Sequence, residues 1–235
     1  MTAAIGLVLP FDSALDREYW RYLPDDTDLY LGRTGHIAGP LGVSLIMAVS
    51  DYDHVLPVVS DMVTALDPDV VVYGCTSGSF LRGREGTVQL RERMEELGCR
   101  SAGSTSEFLL EALDVLGAKQ VAVATPYDDE MTAHLVEYLE LSGFGVPSVR
   151  NLGMTGDPKT VPRDEVLDLA LAADHPNADV LFLSCTNLRT FDIVSELEER
   201  LAKPVLTANQ VTIWGALRRI GRSNPGLGQR LFGRT

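Results

Sequence analysis

The fold of this chain is decided by residues 70–80, which read VVVYGCTSGSF, because a second copy of their pattern follows at residues 180–187, VLFLSCTN. In both places a turn that contains aspartate leads into a continuous apolar run, and a small residue, Cys and Thr come next. A short continuous apolar run is typical of a strand that is buried on both faces, as in a parallel sheet. Cys75 and Cys185 are therefore each expected where a buried strand ends and a loop begins.

Outward from these two stretches, short apolar runs alternate with segments of helical periodicity. An amphipathic helix is predicted over 52–66, for example, whereas 34–43 and 151–162 read as loops. Such alternation predicts parallel sheets with helices on both faces. We expect two comparable α/β halves, with a pseudo-symmetry inferred from the repeated pattern, and assign residues 1–99 plus 208–235 to the first and 100–207 to the second. Further strands are predicted at Ile5–Pro10, Asp28–Arg33, Arg100–Gly103, Val121–Ala124, Val146–Asn151 and Lys203–Leu206.

Composition excludes several classes of protein. The 235 residues are 45% hydrophobic, which is ample for a core, and carry a net charge of −13, which disfavours nucleic acid as a partner. No apolar run approaches the length that spans a bilayer, and the N-terminus lacks the features of a signal peptide. Three cysteines do not make a disulfide framework and fit a reducing compartment. We therefore expect a cytoplasmic protein without a membrane partner, and leave assembly into a homo-oligomer open.

The two repeated strand ends are the candidate site. In open α/β sheets, ligands bind at the carboxyl ends of strands, so two thiols at equivalent ends would face one cleft. A thiolate acts as a base or as a nucleophile, and nearby hydrogen-bond donors favour it. Hydroxyl and amide groups beside each cysteine suit carboxylates or a developing oxyanion, as in an oxyanion hole. These donors are Thr76 and Ser77 beside Cys75, and Thr186 and Asn187 beside Cys185.

The remaining reactive side chains carry no comparable pattern. Cys99 follows the glycine that ends a predicted helix and reads as structural. No Cys-x-x-Cys motif or pair of histidines has the spacing of metal ligands, so no metal site is predicted. The four histidines are scattered and read as surface residues.

Several stretches together resemble one known family: Ile5–Pro10, Gly74–Arg82, Val121–Asp128, Asn151–Gly156, Leu183–Thr186, Lys203–Val205 and the ending PGxGxxLF from Pro225. Over nearly its whole length the chain resembles the aspartate/glutamate racemase superfamily, and most closely its branch of maleate cis-trans isomerases and arylmalonate decarboxylases. The resemblance implies two Rossmann-like halves that enclose one active site, without a metal or an organic cofactor. It also implies that Tyr127 holds a substrate carboxylate or its developing anion.

The chain differs from the residue patterns of both kinds of enzyme in this branch. The decarboxylases typically have glycine where Cys75 stands and use a single cysteine, here Cys185, to protonate the intermediate. The maleate isomerases usually have asparagine in the loop where Asp12 stands, and an aspartate facing a dicarboxylate would repel it. The leading interpretation is therefore a cofactor-independent two-cysteine isomerase or racemase acting on a small mono- or dicarboxylic acid. The alternatives are an arylmalonate-type decarboxylase and a non-catalytic protein that binds small acids.

Overall fold

The strands form two separate four-stranded parallel sheets in a computed structural model, which describes residues 2–39 and 42–234. The first sheet contains β1 (Ala3–Leu9), β2 (Thr27–Arg33), β3 (Val70–Tyr73) and β4 (Ala102–Ser104). The second contains β5 (Val121–Tyr127), β6 (Val149–Met154), β7 (Val180–Leu183) and β8 (Val205–Thr207). Their orders, β2-β1-β3-β4 and β6-β5-β7-β8, are the same when the strands are matched in sequence. The predicted α/β class with two pseudo-symmetric halves is confirmed.

Ten α-helices flank these sheets in the described part of the chain. Those before the second sheet are α1 (Asp16–Arg21), α2 (Val43–Val49), α3 (Tyr52–Leu66), α4 (Thr76–Phe80), α5 (Gly83–Glu96) and α6 (Thr105–Leu116). Those after β5 are α7 (Asp129–Leu141), α8 (Arg163–Ala173), α9 (Val194–Leu201) and α10 (Ala208–Arg219). No helix in ranges 2–39 and 42–234 is long and apolar enough to cross a membrane.

The halves share one core and each has a second core of its own. Alternate residues of β1 and β5, such as Leu7 and Val123, face a common cluster that also contains the buried sides of α6 and α10. The other face of the first sheet packs with α3 and α5, and the other face of the second packs with α8 and α9. Both sheets are thus covered on both faces, which explains the continuous apolar runs of their central strands.

Three features differ from the sequence prediction. Residues 12–51, which read as irregular around one strand, also contain α1 and α2, both too short to show a clear helical period. The chain after Cys75 forms the short helix α4 rather than a loop. The strand at 102–104 pairs with β3 in the first sheet, so the change from one sheet to the other comes after residue 104 and not at the expected 99/100 boundary. A weak three-residue strand gives no sequence signal of which sheet it joins.

One smaller correction concerns the ends of a strand. The strand predicted at 146–151 begins and ends three residues later, as β6, and takes in part of the expected loop. Near the end of the chain, Leu231 and Phe232 are buried in the shared core.

Candidate active site

The carboxyl ends of both sheets open onto one cavity of about 100 Å³. The loops that follow β1, β3, β5, β6 and β7 line it, together with residues of α2 and α7. Of the eight predicted site residues, seven line this cavity: Asp12, Cys75, Ser77, Tyr127, Cys185, Thr186 and Asn187. The eighth, Thr76, is buried beside them with 1% of its surface exposed. The structure therefore brings the predicted set together, and in particular places both thiols on the same cavity.

Cys75 lies at the N-terminal end of α4, directly after β3. Its sulfur accepts a hydrogen bond from the backbone N–H of Gly78 at 3.3 Å and lies 3.9 Å from the Ser77 hydroxyl. Burial raises the pKa of the Cys75 thiol, whereas these donors and the Tyr73 hydroxyl favour the thiolate and lower it. Cys75 is thus a buried thiol with several donors directed at its sulfur.

A serine pair holds the turn that carries Cys75. The Ser79 hydroxyl contacts the carbonyl oxygens of Cys75 and Thr76 at 2.6 and 2.9 Å, and the Ser106 hydroxyl on α6 at 2.6 Å. The Ser106 hydroxyl in turn contacts the Thr76 carbonyl oxygen at 3.1 Å. These contacts give the carbonyl groups of the turn their partners and so fix the backbone on which Cys75 is carried.

Cys185 lies in the corresponding place after β7 but has a different backbone. Its φ of 91° is in the left-handed region, which residues with a side chain rarely adopt. The backbone N–H of Asn187 donates to its sulfur at 3.4 Å. Burial raises the pKa of Cys185 to about 12, although Asn187 and the Tyr127 hydroxyl act in the opposite direction. Burial therefore favours the protonated form of Cys185, which is the form that can donate a proton.

Tyr127 ends β5 and stands beside Cys185. The Ser184 hydroxyl donates to the Tyr127 hydroxyl oxygen at 3.3 Å, which leaves the proton of Tyr127 available to the cavity or to the sulfur. Burial raises its pKa well above the ordinary value for tyrosine, so the hydroxyl stays protonated. This is the geometry of a fixed donor for a developing negative charge.

Two further hydroxyls are buried close to the cysteines. The Oγ1 of Thr76 and the hydroxyl of Tyr19 have no partner at hydrogen-bonding distance among the described residues, although Thr186 is near enough to lower the pKa of Tyr19. Tyr19 is fully buried, and burial raises its pKa, with the charges of both cysteines acting in the same direction. An unpaired buried hydroxyl costs about 1–3 kcal/mol, so such groups are expected to acquire a partner when a ligand or water binds.

Asn187 has a structural task that its sequence position did not reveal. Its side-chain oxygen accepts from the backbone N–H of Ala14 at 3.0 Å, and its amide donates to the carbonyl of Asp12 at 3.2 Å. Both ends of the side chain therefore tie the loop after β1 to the loop after β7. The residue lines the cavity, as predicted, but its side-chain amide is engaged with backbone.

Asp12 lies at the mouth of the cavity. As a residue it is exposed, but its carboxyl group is enclosed enough that burial raises its pKa. The nearby charge of Asp157 acts in the same direction, and Lys159, paired with Asp157, opposes it. The mouth therefore carries a carboxyl group whose negative charge is disfavoured.

One wall of the cavity is apolar, and sequence analysis did not find it. It consists of Leu45, Ile46 and Val49 on α2, Met131 on α7, Met154 at the end of β6, and three prolines. Among the described residues, none that lines the cavity is Lys, Arg or His. Arg82 holds this wall in place, since its guanidinium donates to the carbonyls of Ser50 and Met47 at 3.2 and 3.4 Å at the end of α2.

A buried glutamate fixes the two halves beside the cavity. The carboxylate of Glu18 on α1 accepts from the backbone N–H groups of Thr190 and Phe191 at 2.8 and 3.4 Å and from the side-chain amide of Asn209 at 2.8 Å. Thr190 and Phe191 follow β7, and Asn209 lies on α10. Burial raises the pKa of Glu18, and the three donors lower it. No motif distinguishes this residue from a surface glutamate in a short helix.

Comparison with known proteins gives the family. The family model described as arylmalonate decarboxylase matches residues 21–232. The chain belongs to the arylmalonate decarboxylase family. The arylmalonate decarboxylase of Bordetella bronchiseptica is 31% identical over 241 residues, which covers 98% of this chain and 97% of the relative. A maleate isomerase of Geobacillus stearothermophilus is 24% identical over 176 residues, or 71% of this chain and 70% of the relative.

Solved structures of the arylmalonate decarboxylase family have the same fold. One of them is a mutant of arylmalonate decarboxylase in its liganded form, in which a glycine is replaced by cysteine and a cysteine by serine. It superposes with a TM-score of 0.88 at 28% sequence identity, covering 98% of this chain and 99% of that one. The predicted resemblance is thereby confirmed, together with the expectation of relatives that are decarboxylases and isomerases.

Proposed function

We propose that this protein is a cofactor-independent racemase of small carboxylic acids that carry an apolar substituent on the α-carbon. The observation that carries the proposal is the position of two thiols, Cys75 and Cys185, on one cavity and from opposite halves. One thiolate would remove the α-proton of the acid, which breaks a C–H bond and forms an S–H bond. The other thiol would then deliver its proton to the opposite face of the planar intermediate. The product is the mirror-image acid.

The donors around the cavity support the intermediate that this reaction needs. Negative charge builds on the carboxylate as the α-proton leaves, and preorganised donors stabilise it without rearrangement. The hydroxyls of Tyr127 and Ser77, which line the cavity, would serve as such donors, as would backbone N–H groups at the start of α4. The buried hydroxyl of Thr76, which has no other partner among the described residues, would be a further donor.

The cavity lining supports an acid with one carboxylate and one apolar group. Leu45, Ile46 and Val49 offer a surface for an alkyl or aryl substituent, and such burial contributes about 25 cal/mol per Å². A second carboxylate would find no basic side chain in the described lining and would approach Asp12 at the mouth. This arrangement favours monocarboxylic acids over maleate.

Decarboxylation of an α-substituted malonate is the second candidate. It is favoured by the 31% identity to an arylmalonate decarboxylase and by Cys185, whose pKa of about 12 keeps it a proton donor. In that reaction a carboxyl group would leave as CO2 and Cys185 would protonate the same carbon. Cys75 would have no required step in decarboxylation. Decarboxylation therefore explains a cavity with two thiols less well than racemisation does.

Incubation in deuterated water, followed by NMR and chiral chromatography, tests these alternatives. The panel contains one enantiomer of an α-aryl and of an α-alkyl monocarboxylic acid, the corresponding α-substituted malonates, and maleate. The proposal expects α-deuteration of the monocarboxylic acid with loss of optical activity. Loss of CO2 with uptake of one deuteron would support the decarboxylase instead, and conversion of maleate to its trans isomer would support an isomerase.

The double variant with both Cys75 and Cys185 changed to alanine is the matched control. It removes both thiols but leaves the cavity wall intact, so any exchange that it retains is not due to the thiols. Binding of the acids to wild type without any turnover would overturn the racemase proposal in favour of a small-acid binding protein.

A further inference from the structure

Arg82 joins the helix that follows Cys75 to the helix that carries the apolar wall. It comes after α4, whose N-cap is Cys75, and directly before α5. Its side chain does not line the cavity. The aliphatic stem packs on Gly86 in α5, where an added Cβ would lie 2.3 Å from the Cβ of Arg82. Gly86 therefore leaves the room that the stem requires, and the guanidinium reaches the end of α2.

The guanidinium is engaged by several groups at once where α2 ends. Its Nε donates to the carbonyl oxygen of Ser50 at 3.2 Å, and one terminal nitrogen donates to the carbonyl oxygen of Met47 at 3.4 Å. The same nitrogen lies 3.6 Å from the carboxylate of Asp51, and the guanidinium carbon lies 5.1 Å from the centre of the Tyr52 ring. The last carbonyl groups of a helix have no partner within it, so a planar group with several donors suits this place.

The helix α2 depends on such contacts because it is short. Seven residues are too few for a helix to be stable by itself, and its N-cap, Gly42, has no side chain that could cap it. Within ranges 2–39 and 42–234 its main packing partner is α4. Leu45, Ile46 and Val49 of α2 nevertheless line the cavity. The position of the apolar wall therefore depends on how the end of α2 is held.

The end of α2 also lies against the turn that carries Cys75. A Cβ added to Gly78 would lie 3.1 Å from the Cβ of Ser50 and 3.1 Å from the Cys75 sulfur, so both atoms stand next to this one glycine. Arg82 donates to the carbonyl of the same Ser50. Arg82 therefore holds α2 at the place where α2 meets the turn of the thiol.

We propose that Arg82 is a positioning residue that sets substrate specificity: it holds the end of α2 against the Cys75 turn and so fixes the wall that receives the apolar substituent of the acid. The proposal rests on the proposed function, because it takes an acid whose α-carbon faces the thiols and whose substituent lies on α2. It assigns Arg82 no contact with the substrate carboxylate, since the guanidinium is engaged outside the lining. Binding of an acid should thus depend on Arg82 only when its apolar substituent is large.

Equilibrium binding of phenylacetate and acetate, measured by NMR titration of wild type and variants, tests this role. Both acids carry one carboxylate, and only phenylacetate has a substituent large enough to lie on the wall. Arg82→Met keeps most of the stem and loses the planar donor group. We expect it to raise the Kd of phenylacetate about tenfold, the factor that loss of roughly 55 Å² of apolar contact gives. The Kd of acetate, which has no such contact to lose, should change less than about twofold.

Two further variants are the matched controls. Arg82→Lys keeps the positive charge but offers a point charge in place of the planar donor group, so we expect a smaller rise in the Kd of phenylacetate. It also serves if Arg82→Met does not fold, because the measure is the ratio of two Kd values in one protein. Arg84→Met removes the same charge from an exposed position two residues later and should leave both Kd values unchanged. Circular dichroism verifies the fold of each variant.

A ratio of the two Kd values that is the same in the folded Arg82 variants as in wild type would refute the role of Arg82. An equal rise for both acids would refute it as well, since it would show that the guanidinium serves the carboxylate. Neither result bears on the racemase proposal, because binding requires no turnover. Conversely, failure of the acids to take up α-deuterium would refute the proposed function while the dependence of binding on Arg82 could still be measured. Absence of phenylacetate binding to wild type would overturn both proposals.

Discussion

The two halves of the molecule have the same strand order but differ in the residues at the ends of their strands. At the carboxyl end of β1 and of β5 the chain reads Pro, an aromatic residue and Asp, at 10–12 in the first half and 126–128 in the second. The strand beside each of them, β3 or β7, is followed by one small residue and then Cys-Thr. In the second half the aromatic residue is Tyr127, whose hydroxyl stands beside Cys185, and in the first half it is Phe11. Two residues before the cysteine, the first half has Tyr73 and the second has Leu183.

The two strand ends therefore give the thiols different surroundings. Tyr127 lines the cavity and accepts a hydrogen bond from Ser184, whereas Tyr73 is fully buried outside the lining and its hydroxyl has no hydrogen-bond partner among the described residues. The comparison teaches that a duplicated fold places two thiols at equivalent strand ends and can still surround them with different side chains.

The aspartates at these strand ends differ in the same way. The carboxylate of Asp128 accepts from the backbone N–H of Met131 at 2.9 Å and caps α7. No comparable helix begins at Asp12, so its carboxyl group is left at the mouth of the cavity. One aspartate caps a helix, and the other lines the cavity.

The largest effect is expected from Cys185→Ala. All the reactions considered for this family use this thiol as the proton donor, and a positioned acid or base contributes about 10²–10⁴ in rate. We expect racemisation and decarboxylation to fall together by about that factor, as measured by NMR in deuterated water with unchanged fold by circular dichroism. If either reaction continued at the wild-type rate, the second half would not supply the acid.

Cys75→Gly should separate the two reactions. It removes the base of the first half but leaves the donors of α4, so racemisation should fall by about 10²–10⁴ while decarboxylation of a malonate-type acid survives or appears. The assay is chiral chromatography of one enantiomer beside CO2 release from the malonate. The Cys99→Ala variant is the control and should change neither. Racemisation at the wild-type rate in Cys75→Gly would end the two-thiol mechanism.

Tyr127→Phe removes one hydroxyl from the cavity and leaves phenylalanine, the residue that stands at the corresponding position 11 of the first half. Loss of one preorganised donor costs about 10²–10³ in kcat, and the same is expected for Thr76→Val. Melting temperatures should change little, because water in the cavity can replace the lost partner. Tyr30→Phe, at the far edge of the first sheet, is the control and should keep full turnover. A lowered melting temperature with normal kcat would instead show that these hydroxyls are structural.

Glu18→Gln should weaken the connection between the halves. An amide cannot accept from all the donors that hold the carboxylate, so we expect the free energy of unfolding to fall by about 1–3 kcal/mol in urea titrations. The exposed Glu92→Gln is the control. An unchanged unfolding free energy in Glu18→Gln would mean that the shared core alone holds the halves together.

Glu18→Gln should also change how the free energy of unfolding depends on pH. Burial raises the pKa of Glu18 above its ordinary 4.5, so the folded protein keeps this proton in a window where the unfolded chain releases it. Unfolding then releases a proton, and the contribution of Glu18 to stability falls as pH rises from 4.5 through the raised pKa. Glu18→Gln removes this dependence, so the difference in unfolding free energy between wild type and variant should shrink across that window.

Asp12→Asn should have the smallest effect and concerns specificity. It removes a carboxyl group from the mouth, so we expect a KM for dicarboxylic acids that is lower by roughly three- to tenfold, and a KM for monocarboxylic acids that changes less. At a pH low enough to protonate Asp12, wild type should approach the variant. Equal KM values for dicarboxylic acids in wild type and variant at neutral pH would show that Asp12 does not face the substrate.

The sequence was sufficient for the two parallel sheets, apart from the sheet that β4 joins, and for the positions of the two cysteines. Buried parallel strands are continuous apolar runs and ligands bind at their carboxyl ends, so the Cys-Thr repeat predicted both the fold class and the cavity. The short helix α2 was missed because seven residues hold less than two helical turns of periodic signal. Because α2 was missed, the apolar wall that it contributes was also missed. The preference of the cavity for an apolar substituent therefore could not be predicted.

Glu18 could not be found for a different reason. It meets its partners across more than 170 residues of sequence, and one chain without its tertiary contacts cannot show which carboxylates are buried.

The backbone of Cys185 has a consequence for how this chain can change over generations. A non-glycine residue at φ 91° costs about 1–3 kcal/mol, and glycine would remove that cost. The codons for cysteine and glycine differ by a single base. A one-base change would therefore relieve this backbone strain, but it would also remove the thiol and its contacts in the second core. Retention of cysteine through the generations would then point to a use for the thiol that outweighs the strain.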